Sequence, residues 1–514
     1  MSQKMQSLRD ILFNNPKIAP EHKAIMFEDR WRNFAELQAR VGAAGAALKR
    51  AGVGHGDRVA VLLQNRPEFF ETYFAITGIG AIFVPLNWRL HPAEHAALLA
   101  DAEPKLLIAA RSYAPHVEHL RQAVPSLKQF VAVDDSGSSA AADSYETWIG
   151  ATQGMPLPEA PGLDADTDAA ILYTSGTTSR PKGVVLTHGN YLADFAHLIS
   201  VVKPDQDGVN LQISPLYHAA CAHSFFHLAN GAATVLIEKF EPGEALRLIE
   251  QERVTYFFSA PTALYQMMDH PDFARRDHSS LKTISYGAAS ISTARLREAG
   301  QVFGPILIHA YGMTETTSHA SILLAADHAE ALGSIGKGLG QCEMRVVDSS
   351  GKDCRAGEIG EILVRGPNIM KKGYWRRPDA TAEALRDGWL STGDLARVDA
   401  RGFVYIVDRK KDMVISGGVN IYPREIEEVI AAHPAIAEVA VYGVPDEHWG
   451  EALAASVVLR HGKIATEQEI SDFCRGRIGG YKVPKRIKIV DALPKTASGK
   501  IIKTELRGGA ASVA

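Results

Sequence analysis

Apolar and polar stretches succeed one another along this chain in two distinct rhythms. Residues 58–63 (Arg-Val-Ala-Val-Leu-Leu) form a short apolar run that reads as a buried strand. Pro67 then opens a helix carrying Phe69, Phe70, Tyr73 and Phe74. Residues 81–85 read as the next strand, and 105–110 as another after a second helix. Strand, helix, strand at this spacing predicts a parallel sheet covered by helices. The same rhythm returns over 209–310, with apolar strands near 233–237 and 254–259. Between the two lies a polar stretch rich in Ala, Ser and Asp, 134–168, which reads as a linker or exposed excursion. From about 340 to 407 the pattern turns to short strands punctuated by Gly351, Gly357, Gly360 and Gly366, which predicts a β-rich subdomain. A final unit starts near Asp412, with strands around 437–444 and 453–460. No internal repeat is visible.

Composition narrows the class. The chain has 514 residues, 46% of them hydrophobic, enough for roughly three folding units. A formal net charge of −4 creates no field that would favour nucleic acid. The first residues lack the apolar core of a signal peptide, and no uninterrupted apolar run is long enough to span a bilayer. Cys221, Cys342, Cys354 and Cys474 are widely spaced and form neither a metal-ligand pattern nor a disulfide framework. The expectation is a soluble, cytoplasmic protein. Peripheral membrane contact and a homodimer both stay open.

The chemistry concentrates in residues 173–183, Tyr-Thr-Ser-Gly-Thr-Thr-Ser-Arg-Pro-Lys-Gly. Five Ser/Thr hydroxyls, two glycines and two cations follow a short apolar strand, 169–172. Hydroxyls, backbone N–H groups and a lysine are the donors that polyphosphate oxygens need, and glycine lets the backbone approach closely. The spacing is not that of a Walker P-loop, because five residues separate Gly176 from Lys182-Gly183. A polar surface turn is the ordinary alternative for such a stretch.

This order of residues resembles the signature of the adenylate-forming enzymes: acyl-CoA synthetases, luciferases and peptide-synthetase adenylation domains. One departure is Ser179, where the family usually has glycine. Further segments match the same family in its order, so the resemblance covers nearly the whole chain. These are Ser285-Tyr-Gly287-Ala288-Ala289, Tyr311-Gly312-Met313-Thr314-Glu315, Gly388 to Asp394, Asp408-Arg409-Lys410-Lys411 and Pro494 to Lys500. Each segment taken alone also reads as a turn or a solvated charge cluster.

The resemblance implies an α/β fold. A large N-terminal adenylation domain, 1–410, would hold two doubly wound α/β subdomains and the β-rich subdomain. A small mobile α+β domain, 411–514, would carry the catalytic lysine. Thr174, Ser175, Gly176, Thr177, Thr178 and Lys182 would hold phosphates. Gly287, Ala288 and Ala289 would line one face of adenine, and Tyr311 with Gly312 the other. Thr314 would contact phosphate and Glu315 would hold Mg²⁺, for which a carboxylate is a suitable hard ligand. Asp394 and Arg409 would reach the ribose, Lys411 would be the hinge, and Lys500 would bridge the acid and the α-phosphate. Gly417, Gly418 and Trp449 match the coenzyme A side.

The activity implied is that of an acyl-CoA synthetase. ATP, Mg²⁺ and a carboxylic acid would give acyl-AMP and pyrophosphate, and coenzyme A would then take the acyl group. His218, Ala219, Ala310 and Met313 would border the acyl pocket. No aspartate stands near His218 to pair an amine, and no cation stands beside Tyr311 to pair a second carboxylate. A medium- or long-chain fatty acid is expected, with an aromatic acid such as a benzoate or cinnamate as the alternative. A stand-alone enzyme that loads a carrier protein is a further alternative. A nucleotide-binding module without catalysis is disfavoured by Glu315, Asp394, Arg409 and Lys500.

Overall fold

The computed structural model describes residues 5–134, 144–174, 182–289, 291, 293–446, 448–495 and 501–510. Four sheets organise them. The first has six strands, and its spatial order places Arg58–Leu62 between Ile82–Pro85 and Leu106–Ala110, all parallel. Every residue of Ile82–Pro85 and Leu106–Ala110 is buried, as expected of strands covered on both faces. Asp168–Thr174 joins the same sheet, followed at its edge by the antiparallel strand Lys182–Thr187. Residues 175–181 therefore connect two antiparallel neighbours.

The second sheet has nine strands. Its centre is parallel: Val209–Gln212, Ala233–Leu236, Tyr256–Ser259, Thr283–Gly287 and Leu307–Tyr311. Antiparallel strands close both edges. The two sheets meet through helices. Pro67–Gly78 is buried along its whole length, and its Tyr73 ring stacks on Phe225 of helix Ala222–Ala229 at 4.2 Å. A third sheet, built on Glu343–Val347, Ile359–Arg365, Trp389–Val398 and Val404–Arg409, is antiparallel. It is the predicted β-rich unit. The fourth has Ile436–Asp446 against Gly450–Leu459 at its centre, with helices Pro423–Ala431 and Glu467–Arg475 contributing to its core.

One expectation fails. The 134–168 stretch is not simply an exposed excursion, because helix Tyr145–Gly150 buries Tyr145 and Ile149, and Leu157 is buried beyond it. The Tyr145 hydroxyl donates to Glu71 at 3.0 Å, and Glu71 is itself fully buried and paired with Arg40 at 2.6 Å. Leu157 lies in a groove between two helices made by glycines. A Cβ on Gly45 would stand 2.4 Å from Leu157 Cδ1, and one on Gly78 would stand 2.8 Å from Cδ2. Single apolar anchors in an Ala/Asp-rich segment show no period, so composition hides them. Leu157→Ala should destabilise the protein by about 2–5 kcal/mol, because the glycine groove has no side chain to refill the space. A urea midpoint shift read by circular dichroism measures this, and an unchanged midpoint would mean that the groove is not filled.

Candidate active site

The carboxyl ends of parallel strands are where open α/β sheets bind ligands. Here Thr283–Gly287 and Leu307–Tyr311 end side by side, with Gly287 opposite Ala310. A Cβ on Gly287 would stand 2.2 Å from the Ala310 carbonyl oxygen, so only glycine fits that approach. Ala288 follows with φ +64°, a left-handed conformation that costs a non-glycine residue energy. Ala289 continues the same bend. Ala310 is buried, and Gly312 and Met313 lead into the short 3₁₀ turn Thr314–Thr316.

Tyr311 and Asp394 come from different sheets and meet. The Tyr311 hydroxyl donates to Asp394 Oδ2 at 2.7 Å, while Asp394 Oδ1 pairs with Arg409 Nε at 3.2 Å. Asp394 and Arg409 are direct partners across two antiparallel strands, so strand register fixes their meeting. Burial, and then the Asp394 charge, hold the Tyr311 phenol well above its ordinary pKa, so it stays a donor. The 408–412 cluster is thus not a plain solvated face. Asp408 is buried and accepts from the backbone N–H groups of Arg409 at 2.7 Å and Arg424 at 3.0 Å.

Glu315 is held from one side. Its Oε1 accepts from the Tyr374 hydroxyl at 2.9 Å, and its carbonyl accepts from Met370 N at 2.8 Å. Oε2 makes no hydrogen bond among the described residues. One free hard oxygen fits a magnesium ion that takes its other ligands from phosphate and water. No three His, Cys, Asp or Glu side chains converge on a metal position among the described residues. The turn after Glu315 is strained at Thr317, φ +63°, and a buried amide holds it. Asn368 Nδ2 donates to the carbonyls of Thr316 and His319, and the main-chain carbonyl of Asn368 accepts from the Thr317 hydroxyl at 2.6 Å.

Thr174 and Lys182 face each other as the closing pair of their two strands. The Lys182 ammonium lies 5.1 Å from the centre of the Tyr374 ring. Ser175, Gly176, Thr177, Thr178, Ser179 and Lys500 lie outside the described residues. His218 is half-buried against Tyr217, with ring centres 4.2 Å apart, and Ala219 opens the turn Ala219–Cys221. Burial, then Asp194, pushes the Cys221 thiol up to about 12, which makes it a packing group. Buried Asn65 fixes this segment, donating to the carbonyls of Ser214 and Ile237 at 3.0 Å and accepting from Leu216 N at 2.9 Å.

The remaining residues sit apart. Gly417 packs on Trp449, whose Cε3 would stand 2.7 Å from a Cβ there, and Gly417 N donates to the Trp449 carbonyl at 2.9 Å. Trp449 is 45% exposed, and Gly418 faces open space. Among the described residues none of the three bonds to Tyr311, Asp394 or Arg409. Lys411 is exposed, in the turn that follows strand Val404–Arg409.

The arrangement matches a known sequence model along most of the chain. The model for AMP-binding enzymes matches residues 12–375, and the one for the AMP-binding enzyme C-terminal domain matches residues 425–500. The chain belongs to the adenylate-forming acyl-CoA synthetase family. Among curated members of this family it is 40% identical to a feruloyl-CoA synthase of an Amycolatopsis species, over 96% of each chain. It is 38% identical to a medium/long-chain-fatty-acid–CoA ligase of Mycobacterium tuberculosis, over 95% of this chain and 87% of that one. Its fold superposes on ATP-bound MatB from Rhodopseudomonas palustris with a TM-score of 0.90 and 31% identity, over 98% and 99% of the two chains.

Asn65, Asn368 and Tyr374 were not expected in this acyl-CoA synthetase from its sequence. Each acts through partners far along the chain, and the only local signal was a tyrosine set between Gly373 and Trp375 in a charged loop. Asp394→Asn keeps the shape but removes the charge that orders Arg409 and Tyr311. ATP affinity, measured by calorimetry, should fall about 10- to 100-fold, the range for hydrogen bonds to a charged group. Unchanged affinity would remove Asp394 from the nucleotide site.

Proposed function

We propose that this AMP-forming acid–thiol ligase activates an aromatic carboxylic acid as its adenylate and passes the acyl group to coenzyme A. The observation that carries the adenylation reading is the junction of Tyr311, Asp394 and Arg409 at the strand ends that also lead to Glu315. It offers an aromatic face, a carboxylate for two ribose hydroxyls and a cation within one cluster. ATP use fits the ATP-bound relative. A carboxylate is a poor acyl donor because oxide is its leaving group. Attack of its oxygen on the α-phosphate expels pyrophosphate and leaves AMP as the group that departs next. In-line phosphoryl transfer asks the protein for positioning and charge neutralisation, which Thr174, Lys182, Thr314 and Glu315 would supply. Magnesium held at Glu315 would offset charge on the phosphates. Lys500 would bridge the acid and the α-phosphate in this step. For the second step, a turn at Lys411 would bring up Gly417, Gly418 and Trp449, where a side chain on Gly418 would protrude into open space.

The aromatic acid is favoured over the fatty acid by the wall below Gly287. The Phe258 ring would lie 3.5 Å from a Cβ on Gly287, and His223 stacks on Phe258 at 4.1 Å with the planes 12° apart. Flat rings stacked in layers suit a flat substrate. The fatty-acid reading stands second, on the 38% identical medium/long-chain relative. A panel of benzoates, cinnamates and fatty acids, scored for AMP release with and without coenzyme A, separates them. Highest kcat/KM on an aromatic acid, with turnover only when coenzyme A is present, is expected. Higher kcat/KM on a fatty acid would reverse the order, and single-turnover AMP in the presence of coenzyme A would point to a carrier-protein acceptor.

A further inference from the structure

Lys182 and Glu315 carry opposite charges on neighbouring elements, yet no ion pair joins them among the described residues. Tyr374 contacts both. Its hydroxyl donates to Glu315 Oε1 at 2.9 Å, and its ring face receives the Lys182 ammonium at 5.1 Å. A cation on an aromatic face is attracted by the ring quadrupole without losing its charge. A carboxylate that accepts one hydroxyl keeps its charge too. Direct contact of the two would neutralise both, and each would then be less available to a polyanion.

The backbone holds this tyrosine firmly. Val185 N donates to the Gly373 carbonyl at 3.0 Å, and Trp375 N donates to the Gly183 carbonyl at 2.7 Å. Residue 374 is thereby bridged to Val184 on the strand that Lys182 begins. Tyr374 N donates to the Thr381 hydroxyl at 2.9 Å, and Trp375 Nε1 donates to the Asp101 carbonyl at 3.1 Å. Asp101 also binds Arg377 and the Tyr173 hydroxyl, both at 2.7 Å. The segment is therefore laced to the strands on both sides of the 175–181 loop. Burial, then the Glu315 charge, raises the phenol pKa and keeps the hydroxyl protonated as a donor.

We propose that Tyr374 is a positioning residue for adenylation, a spacer that keeps the Lys182 and Glu315 charges apart and in one frame for the triphosphate. The proposal rests on the reading that those two groups serve the phosphates. Tyr374→Phe removes the hydroxyl and keeps the ring, and Tyr374→Leu removes both. Four measurements apply: acid-dependent ATP–pyrophosphate exchange, thioester formation from supplied acyl adenylate, calorimetric affinity for a non-hydrolysable ATP analogue with magnesium, and melting temperature.

Tyr374→Phe should lower exchange about tenfold and weaken the analogue, the scale of a hydrogen bond to a charged group. Thioester formation and melting should stay at the wild-type level, and Tyr374→Leu should lose more exchange than Tyr374→Phe. In a Glu315→Gln background the further loss from Tyr374→Phe should shrink below about twofold, because the two residues act together. Wild-type exchange and analogue affinity in Tyr374→Phe, equal loss of both half-reactions, or full additivity with Glu315→Gln would overturn the proposal. Wild-type exchange in Glu315→Gln alone would overturn the underlying reading of Glu315 and the spacer with it.

Discussion

Asp394 is 5% exposed and carries two obligations that hold the site together. One oxygen takes the Tyr311 hydroxyl from the nine-stranded sheet, and the other pairs with Arg409 beside it in the β-rich sheet. A buried carboxylate is costly unless hydrogen-bonded and paired, so those contacts are what allow the charge to sit there. In satisfying it, the protein fixes where the β-rich sheet stands relative to the ends of Thr283–Gly287 and Leu307–Tyr311. The clustering of Tyr311, Asp394 and Arg409 is a consequence of that junction.

The same economy recurs around it. Asn65 anchors the segment leading to His218, Asn368 holds the strained turn after Glu315, and Tyr374 bridges Glu315 to the strand of Lys182. Each uses a buried or half-buried polar group to brace a loop that bears candidate chemistry. Loops alone are mobile, and bracing them from rigid strands is how a site attains fixed geometry. The rigid cluster also contrasts with the 417–418 and Trp449 pair, which packs on itself and stays exposed. Two separate faces would serve the two half-reactions proposed above.

The fold was largely legible because its central strands are buried on both faces. Such strands appear as short apolar runs, and 58–63, 81–85 and 105–110 correspond within a residue or so to Arg58–Leu62, Ile82–Pro85 and Leu106–Ala110. Tyr311, Asp394 and Arg409 were legible as motif residues, and the structure brings them together. Tyr145 and Leu157 were not, since isolated apolar anchors carry no period and the glycines that receive Leu157 lie on other helices. Asn65, Asn368 and Tyr374 escaped because the partners that define their roles are 49 to 172 residues away, and no local spacing encodes such contacts. Within 408–412 the alternative of a solvated charge cluster gives way at Asp408 and Arg409, which find partners only once the strands are paired.

If the cluster at Tyr311, Asp394 and Glu315 serves to make an acyl adenylate, the fate of one oxygen reveals it. An aromatic acid with ¹⁸O in both carboxylate positions is turned over with ATP and coenzyme A, and the products are weighed by mass spectrometry. If the carboxylate attacks the α-phosphate, one labelled oxygen stays on phosphorus when the thiol takes the acyl group. AMP carrying one ¹⁸O and unlabelled pyrophosphate are expected. Label in inorganic phosphate, with ADP as the nucleotide product, would contradict adenylate formation.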